Sequence, residues 1–209
     1  MISFLVASNA VFEMHPLWLG ASETDLLNAK EGLEKYLMSK MYKVYFQPKH
    51  SEDALHDEVI LNKTQLLAFL EPQHLEIPER CVQMGLLPSA ADPSYNQFQA
   101  AGKELQKMDT FRGPRDKVIC ILNASKIITS KIMQAANCEG ADHFLPILIY
   151  VILKSNPPFL FSNLEFISRF RNPDALRGEA YYYFTHMMGA VRFIEKMDGR
   201  FFILDTSSP

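Results

Sequence analysis

The ten residues from Phe144 to Leu153, FLPILIYVIL, carry no charge, and Asp142-His143 and Lys154 close the run on either side. On a helical wheel their apolar side chains point in every direction, so a helix here has to be buried all round. The run is too short to cross a bilayer, which takes about 20 apolar residues. A strand is the competitor, because Ile, Val and Tyr suit strands and short apolar runs are ambiguous. Pro146 favours helix. From a start at His143 the proline falls in the first turn, where the amide has no partner, whereas a central strand excludes it. Asn156-Pro157-Pro158 must then stop the helix.

Polarity is confined to the two ends of this rod. Asp142 at the N-terminal tip has two compatible readings. As an N-cap its carboxylate accepts from free amides and complements the helix dipole. As an acid held rigidly at the surface on the end of a buried helix, it is available to a partner.

A buried helix needs cover on every side, and the rest of the chain reads as helices that supply it. A short helix fits residues 1 to 14, with Phe4, Leu5, Val11 and Phe12 as core contacts, broken at His15-Pro16. Ser22 offers a cap for a longer helix to about Phe46, where Leu26, Leu33, Tyr36, Leu37, Met41 and Val44 recur near helical spacing. Ser51-Glu52-Asp53 opens another, running out at Glu71-Pro72. Pro72, Pro78, Pro88 and Pro93 punctuate the next stretch, and a linker is placed at residues 79–93. Helical pattern resumes from Ser94 to Met108. Pro114 looks like the first-turn proline of a helix to about Ala135, with Val118, Ile121, Leu122, Ser125, Ile132 and Met133 on one face. A short helix follows over Asn163–Phe170. In a last one, over Gly178–Met197, Phe184, Met187, Met188, Val191 and Ile194 share a face, and Tyr182, Thr185, His186, Gly189 and Phe193 lie opposite. The fold class is all-α: an N-terminal helical bundle over residues 1–78 packed on a layered helical domain over 94–209.

At 209 residues, 48% hydrophobic and 22% charged, the composition is that of an ordinary globular protein with length for a sizeable core. A net charge of −3 gives no electrostatic support for nucleic acid or an anionic membrane as the main partner. Cys81, Cys120 and Cys138 are widely spaced and odd in number, which predicts free thiols in a reducing compartment. The N-terminus lacks the basic region of a signal peptide. No Walker A loop, HExxH, GxSxG, Rossmann glycine run or paired-cysteine zinc pattern is present, so neither covalent catalysis, a bound metal nor a cofactor is expected.

Gly140-Ala141-Asp142-His143-Phe144-Leu145-Pro146, then Leu148-Ile149-Tyr150-Val151, Lys154, Asn156-Pro157-Pro158, Ser162-Asn163 and Gly178-Glu179…Tyr182-Tyr183-Phe184-Thr185 together resemble the Vps-nine domain. That family comprises guanine nucleotide exchange factors for endosomal Rab GTPases of the Rab-five subfamily. Gly32-Leu33-Glu34-Lys35-Tyr36 and Gly113-Pro114-Arg115-Asp116-Lys117 are similar to the family upstream, and the plant-type member with its N-terminal bundle looks closest. The resemblance implies an acidic finger at Asp142 and a partner-contacting tyrosine at Tyr182, with Thr185 one turn on. Pro146, His143 and His186 would lie in the same contact surface, and Asn163, Arg115 and Asp116 would support it. His143 stands where the family usually has a second acid, Tyr181 where it has glycine and His186 where it has asparagine. The chain ends at Pro209, short of the family's terminal acidic helix. The implied partner is a GDP-bound Rab-five-type GTPase, and the implied location is cytoplasmic, peripheral to endosomes through partners. A helical adaptor that binds a Rab without releasing nucleotide is the alternative from another class. Oligomeric state is not legible.

Overall fold

The computed structural model describes residues 2–137 and 141–197, so Cys138, Gly140 and the stretch leading to Pro209 lie outside the described residues. The helices run in the order α1 (Ile2–Met14), α2 (Glu23–Tyr45), α3 (Asp53–Leu66), α4 (Glu79–Leu86), α5 (Gln97–Gln106), α6 (Pro114–Ile127), α7 (Ala141–Ser155), α8 (Leu160–Phe170) and α9 (Gly178–Lys196). Among the described residues there is no strand, only an isolated antiparallel bridge between Pro88 and Asn96. The fold is all-α.

The uncharged run lies at its centre. Phe144 and every residue from Ile147 to Leu153 are buried, with α5, α9, α3 and the 3₁₀ turn Pro72–Leu75 packed around α7. Gly102 lets α5 come close, because a β-carbon there would overlap that of Ser155. The helix begins two residues earlier than the proline argument placed it. Asp142 therefore lies inside the first turn rather than before it, and Pro146 lies beyond that turn.

Local chemistry explains most boundaries. Ser22 caps α2 by accepting from the Asp25 amide at 3.1 Å. Ser22→Ala should cost about 1 kcal/mol, the usual worth of such a cap, read as a small shift in thermal unfolding with α2 otherwise intact. Asn96 and Gln99 form a reciprocal capping box on α5. Pro114 opens α6 as its first residue, and beyond Ile127 the helix relaxes into a π-turn over Ile128–Met133. On its inner face Val118, Ile121, Ser125, Ile132 and Met133 are buried as the spacing predicts, joined by Cys120, Ala124 and Ile128.

The N-terminal helices depart from expectation. Phe4 and Val11 of α1 are exposed, as are Tyr36 and Val44 of α2, while Glu34 and Met38 take the buried positions on α2. The reason is partner geometry: α2 meets α6 and the charged end of α8, so its inner face is chosen by ion pairing as well as by apolar spacing. The stretch read as a linker contains α4, with Cys81 and Gly85 buried. Cys120 is a free, buried thiol that burial pushes up to about 11. Cys81 is disulfide-bonded, which departs from three free thiols.

A polar seam joins the N-terminal helices to the rest. Arg171, at the C-terminal cap of α8, bonds both Glu31 oxygens at 2.6 Å and Glu34 at 2.7 Å, and the Asn172 amide donates to Glu34. Arg169 pairs bidentately with Asp53 at 2.6 and 2.7 Å. Phe159, at φ 49°, offers no side-chain cap to α8, so Asp57 of α3 does it instead, accepting from the Ser162 amide at 3.2 Å and from its hydroxyl. Burial raises the Asp57 carboxyl above its usual range despite those bonds.

Candidate functional site

The site is built where α7 and α9 run side by side in the same direction. Phe144 near the start of α7 lies 5.3 Å, ring to ring, from Tyr183 and 5.6 Å from His186, and further along Ile149 shares a concavity with Phe193. This registers the first turn of α7, with Asp142, against the second turn of α9. Asp142 is exposed and His143 half-buried. Burial of every residue from Ile147 to Leu153 fixes the rod, so the acid is carried by a stiff support.

On α9 the wheel is obeyed except at Phe193, which is expected on the outward face but is half-buried against the core. Phe184, Met187, Ala190, Val191 and Ile194 are buried, whereas Tyr182, Thr185 and Gly189 are exposed and His186 is half-buried. Tyr182 is 42% exposed, and among the described residues nothing bonds its hydroxyl. The Thr185 hydroxyl donates back to the Tyr182 carbonyl at 2.8 Å. Tyr181 is also exposed, so the tyrosine run forms a ledge of aromatic surface beside the acid. Pro146 is half-buried and lines a concavity of about 310 Å³ with His74, Leu75, Glu76, Ile149 and Phe193.

The other residues singled out from the sequence fall into a second group. Asn163 is fully buried, accepts from the Lys117 ammonium at 2.5 Å, and donates to the carbonyls of Pro158 and Phe159. It thus braces the turn between α7 and α8. Asp116 pairs with Lys35 at 3.0 Å, and Arg115 reaches Glu31 at 3.7 Å, so both belong to the seam with α2. Lys117 was missed by sequence reasoning. It has no exposed surface, donates also to Met108 and Tyr42, and is surrounded by the rings of Tyr42, Phe46 and Phe166. Burial pushes its ammonium down to about 8. The signal was present: Lys117 lies four residues before Ile121 on the buried face of α6. Among the described residues no group of three or more His, Cys, Asp or Glu side chains could hold a metal ion, and no helix is long and apolar enough to cross a membrane.

The described residues thus form an all-helical domain with an exposed acid near the start of the buried helix α7 and exposed aromatic surface on the adjoining α9. Residues 98–199 match the vacuolar sorting protein 9 (VPS9) domain, and residues 3–42 match a domain of unknown function. The chain belongs to the VPS9-domain family. It is 40% identical over 208 residues to vacuolar protein sorting-associated protein 9A of Arabidopsis thaliana, covering 97% of this chain and 38% of that protein. It is 35% identical over 206 residues to vacuolar protein sorting-associated protein vps901 of Schizosaccharomyces pombe, covering 93% of this chain and 34% of that protein. To the human Rab5 GDP/GTP exchange factor it is 40% identical over 170 residues, 80% of this chain and 33% of that protein. The chain therefore spans well under half the length of these relatives.

Proposed function

We propose that this chain is a guanine nucleotide exchange factor that accelerates GDP release from a Rab5-type GTPase, with Asp142 as an acidic finger. The observation that carries the reading is the exposed carboxylate on the tip of the buried helix α7, beside the Tyr182–Thr185 ledge of α9. The name of the human relative, an exchange factor for Rab5, supports the choice of partner.

A GTPase holds GDP through Mg²⁺ and a P-loop lysine that neutralise the phosphates. A carboxylate inserted there is a hard oxygen ligand that competes for Mg²⁺ and a charge-assisted partner for the lysine. Either loss leaves the β-phosphate under-neutralised, and GDP departs. No covalent bond is made or broken. Presentation from a stiff helix limits the entropy lost on insertion. Tyr182 and Thr185, flanked by His143 and Pro146, make the contact surface that holds the GTPase while the acid enters. Residues 94–209 form the exchange domain and residues 1–78 a bundle that braces it, joined through 79–93. Recruitment to endosomes would come through partners.

The test is release of fluorescent GDP from a panel of Rab GTPases with the chain as titrant. Acceleration confined to Rab5-type members is expected. Tight binding with unchanged release would instead make the chain an adaptor. Within the same assay, Tyr182→Ala should slow release roughly tenfold, the scale of a 1–2 kcal/mol interface aromatic. The melting temperature should stay close to wild type, because the side chain packs on the surface. Parallel loss of stability and activity would place Tyr182 in the core instead.

A further inference from the structure

The first turn of α7 lacks one of its own backbone bonds. Pro146 has no N–H, so the regular bond from position 146 to the Asp142 carbonyl is missing, and the amides that flank the gap are those of Leu145 and Ile147. The backbone segment that carries the acid is thus held by one bond fewer than a regular turn. Ring contacts make up the difference. Phe144, two residues after Asp142, is 2% exposed and meets the His186 ring edge-on at 75° and 5.6 Å, with Tyr183 at 5.3 Å.

His186 is itself fixed. A carbonyl only accepts, so the 2.9 Å contact from Nδ1 to the Tyr182 carbonyl places the proton on Nδ1 and sets the ring's direction. The same ring lies 4.2 Å from that of Tyr182, which in turn lies 5.1 Å from Tyr183. Four rings therefore connect the turn that carries Asp142 to the turn that carries Tyr182 and Thr185.

We propose that His186 is a positioning residue: by gripping Phe144 and Tyr182 together, it sets the acid and the aromatic ledge at one spacing before a GTPase arrives. This rests on the exchange reading given above. His186 acts through its two neighbours, and the chemistry needs no proton from it. A displacement of about 1 Å in such a constellation can cost a rate on the order of a hundredfold, so loss of the grip is expected to show in turnover more than in binding.

Amide hydrogen exchange followed by NMR tests the grip without any partner. In His186→Ala the amides of Leu145 and Ile147 should exchange about tenfold faster than in wild type, while core amides of Val151 and Ile194 keep their protection. His186→Phe keeps a ring against Phe144 and should hold both amides near wild type. Phe144→Leu, still apolar but unable to reach the imidazole edge, should reproduce His186→Ala. In the GDP-release assay, His186→Ala should lower the maximal rate about tenfold with little change in half-saturating concentration, and His186→Phe should restore most of it. Unchanged protection of Leu145 and Ile147 in His186→Ala overturns the grip, whatever the release assay reads. Lost protection with undiminished release overturns the positioning role. A wild-type chain that releases no GDP overturns the exchange reading and the positioning role with it. That failure is told apart from failure of the grip because the amide measurement uses no GTPase.

Discussion

Asp142→Asn is expected to lose most GDP-release activity, on the order of a hundredfold, while melting within a few degrees of wild type. The two substituents differ little in size, so what changes is charge. Asp142 lies in the first turn of α7, where a carboxylate is worth about 0.3–1 kcal/mol through the helix dipole. Losing that much cannot unfold a domain of this size. Opposite a P-loop lysine or Mg²⁺ the difference is far larger, because an amide neither pairs ionically nor ligates the cation as well. Removing one preorganised electrostatic group from a reacting centre typically costs about 10²–10³ in rate. The measurement is GDP release at matched, circular-dichroism-verified concentrations of wild type, Asp142→Asn and Asp142→Ala. Binding to the GTPase should survive in both variants, since the ledge on α9 is untouched. If asparagine supports wild-type release, the charge is unused and the acid serves only its own helix.

Arg171→Ala should be the most damaging substitution outside the apolar core, destabilising by about 3–5 kcal/mol. The guanidinium is 7% exposed and neutralises Glu31 and Glu34, of which Glu34 is 3% exposed. Burial already raises the Glu34 carboxyl above its usual range, with Arg171 opposing it. Without the guanidinium, two neighbouring carboxylates remain in a site closed to water, one of them still bonded to the Asn172 amide. For a chain of this length the loss corresponds to a fall in melting temperature on the order of 10 °C. Arg177→Ala is the control. Its pair with Asp174 is exposed on both sides, and surface pairs contribute about 0–1 kcal/mol. Equal, small effects of the two substitutions would mean that the seam between α2 and α8 is solvated. Adding Glu31→Gln and Glu34→Gln to Arg171→Met should recover much of the loss, because the penalty lies in the stranded charges.

The sequence made α7 legible because nothing competes with an uncharged run of that length for the centre of a helical protein. The outward side of α9 was legible for the complementary reason: five apolar residues at helical spacing leave Tyr182 and Thr185 nowhere to point but out. The seam was not legible, and the cause is physical. Glu34, Asp53, Lys117 and Arg171 are charged, and charge by default argues for water. Only partners brought from elsewhere in the chain make their burial tolerable: opposite charges for Glu34, Asp53 and Arg171, and neutral oxygens and aromatic rings for Lys117. Lys117 and Arg171 do each fall four residues from a buried isoleucine, Ile121 and Ile167, so periodicity carried a hint that residue type overruled. The exposed apolar residues of α1 and α2 are the mirror error. Spacing says which residues share a face but not whether anything packs against it. Asp142 and Tyr182 were recognisable through motif resemblance, whereas the Phe144–His186 contact depends on the register of two helices, which no local pattern encodes.

The capping of α8 by Asp57 has a consequence for how the chain assembles in time. The bond closes a loop of 105 residues, and the Arg171–Glu31 pair closes one of 140. At a ribosomal pace of about 5–20 residues per second, Glu31 and Glu34 wait roughly 7–30 s after emerging before their arginine exists. Through that interval the first three helices carry solvated acids and unmatched apolar faces, and α8 in turn cannot complete its N-terminus until Asp57 is brought to it. Contacts of such long sequence separation also place the chain toward the slow end for helical proteins. The helices α1 to α3 are therefore among the last to settle, and they depend on the later helices for the charges that hold them.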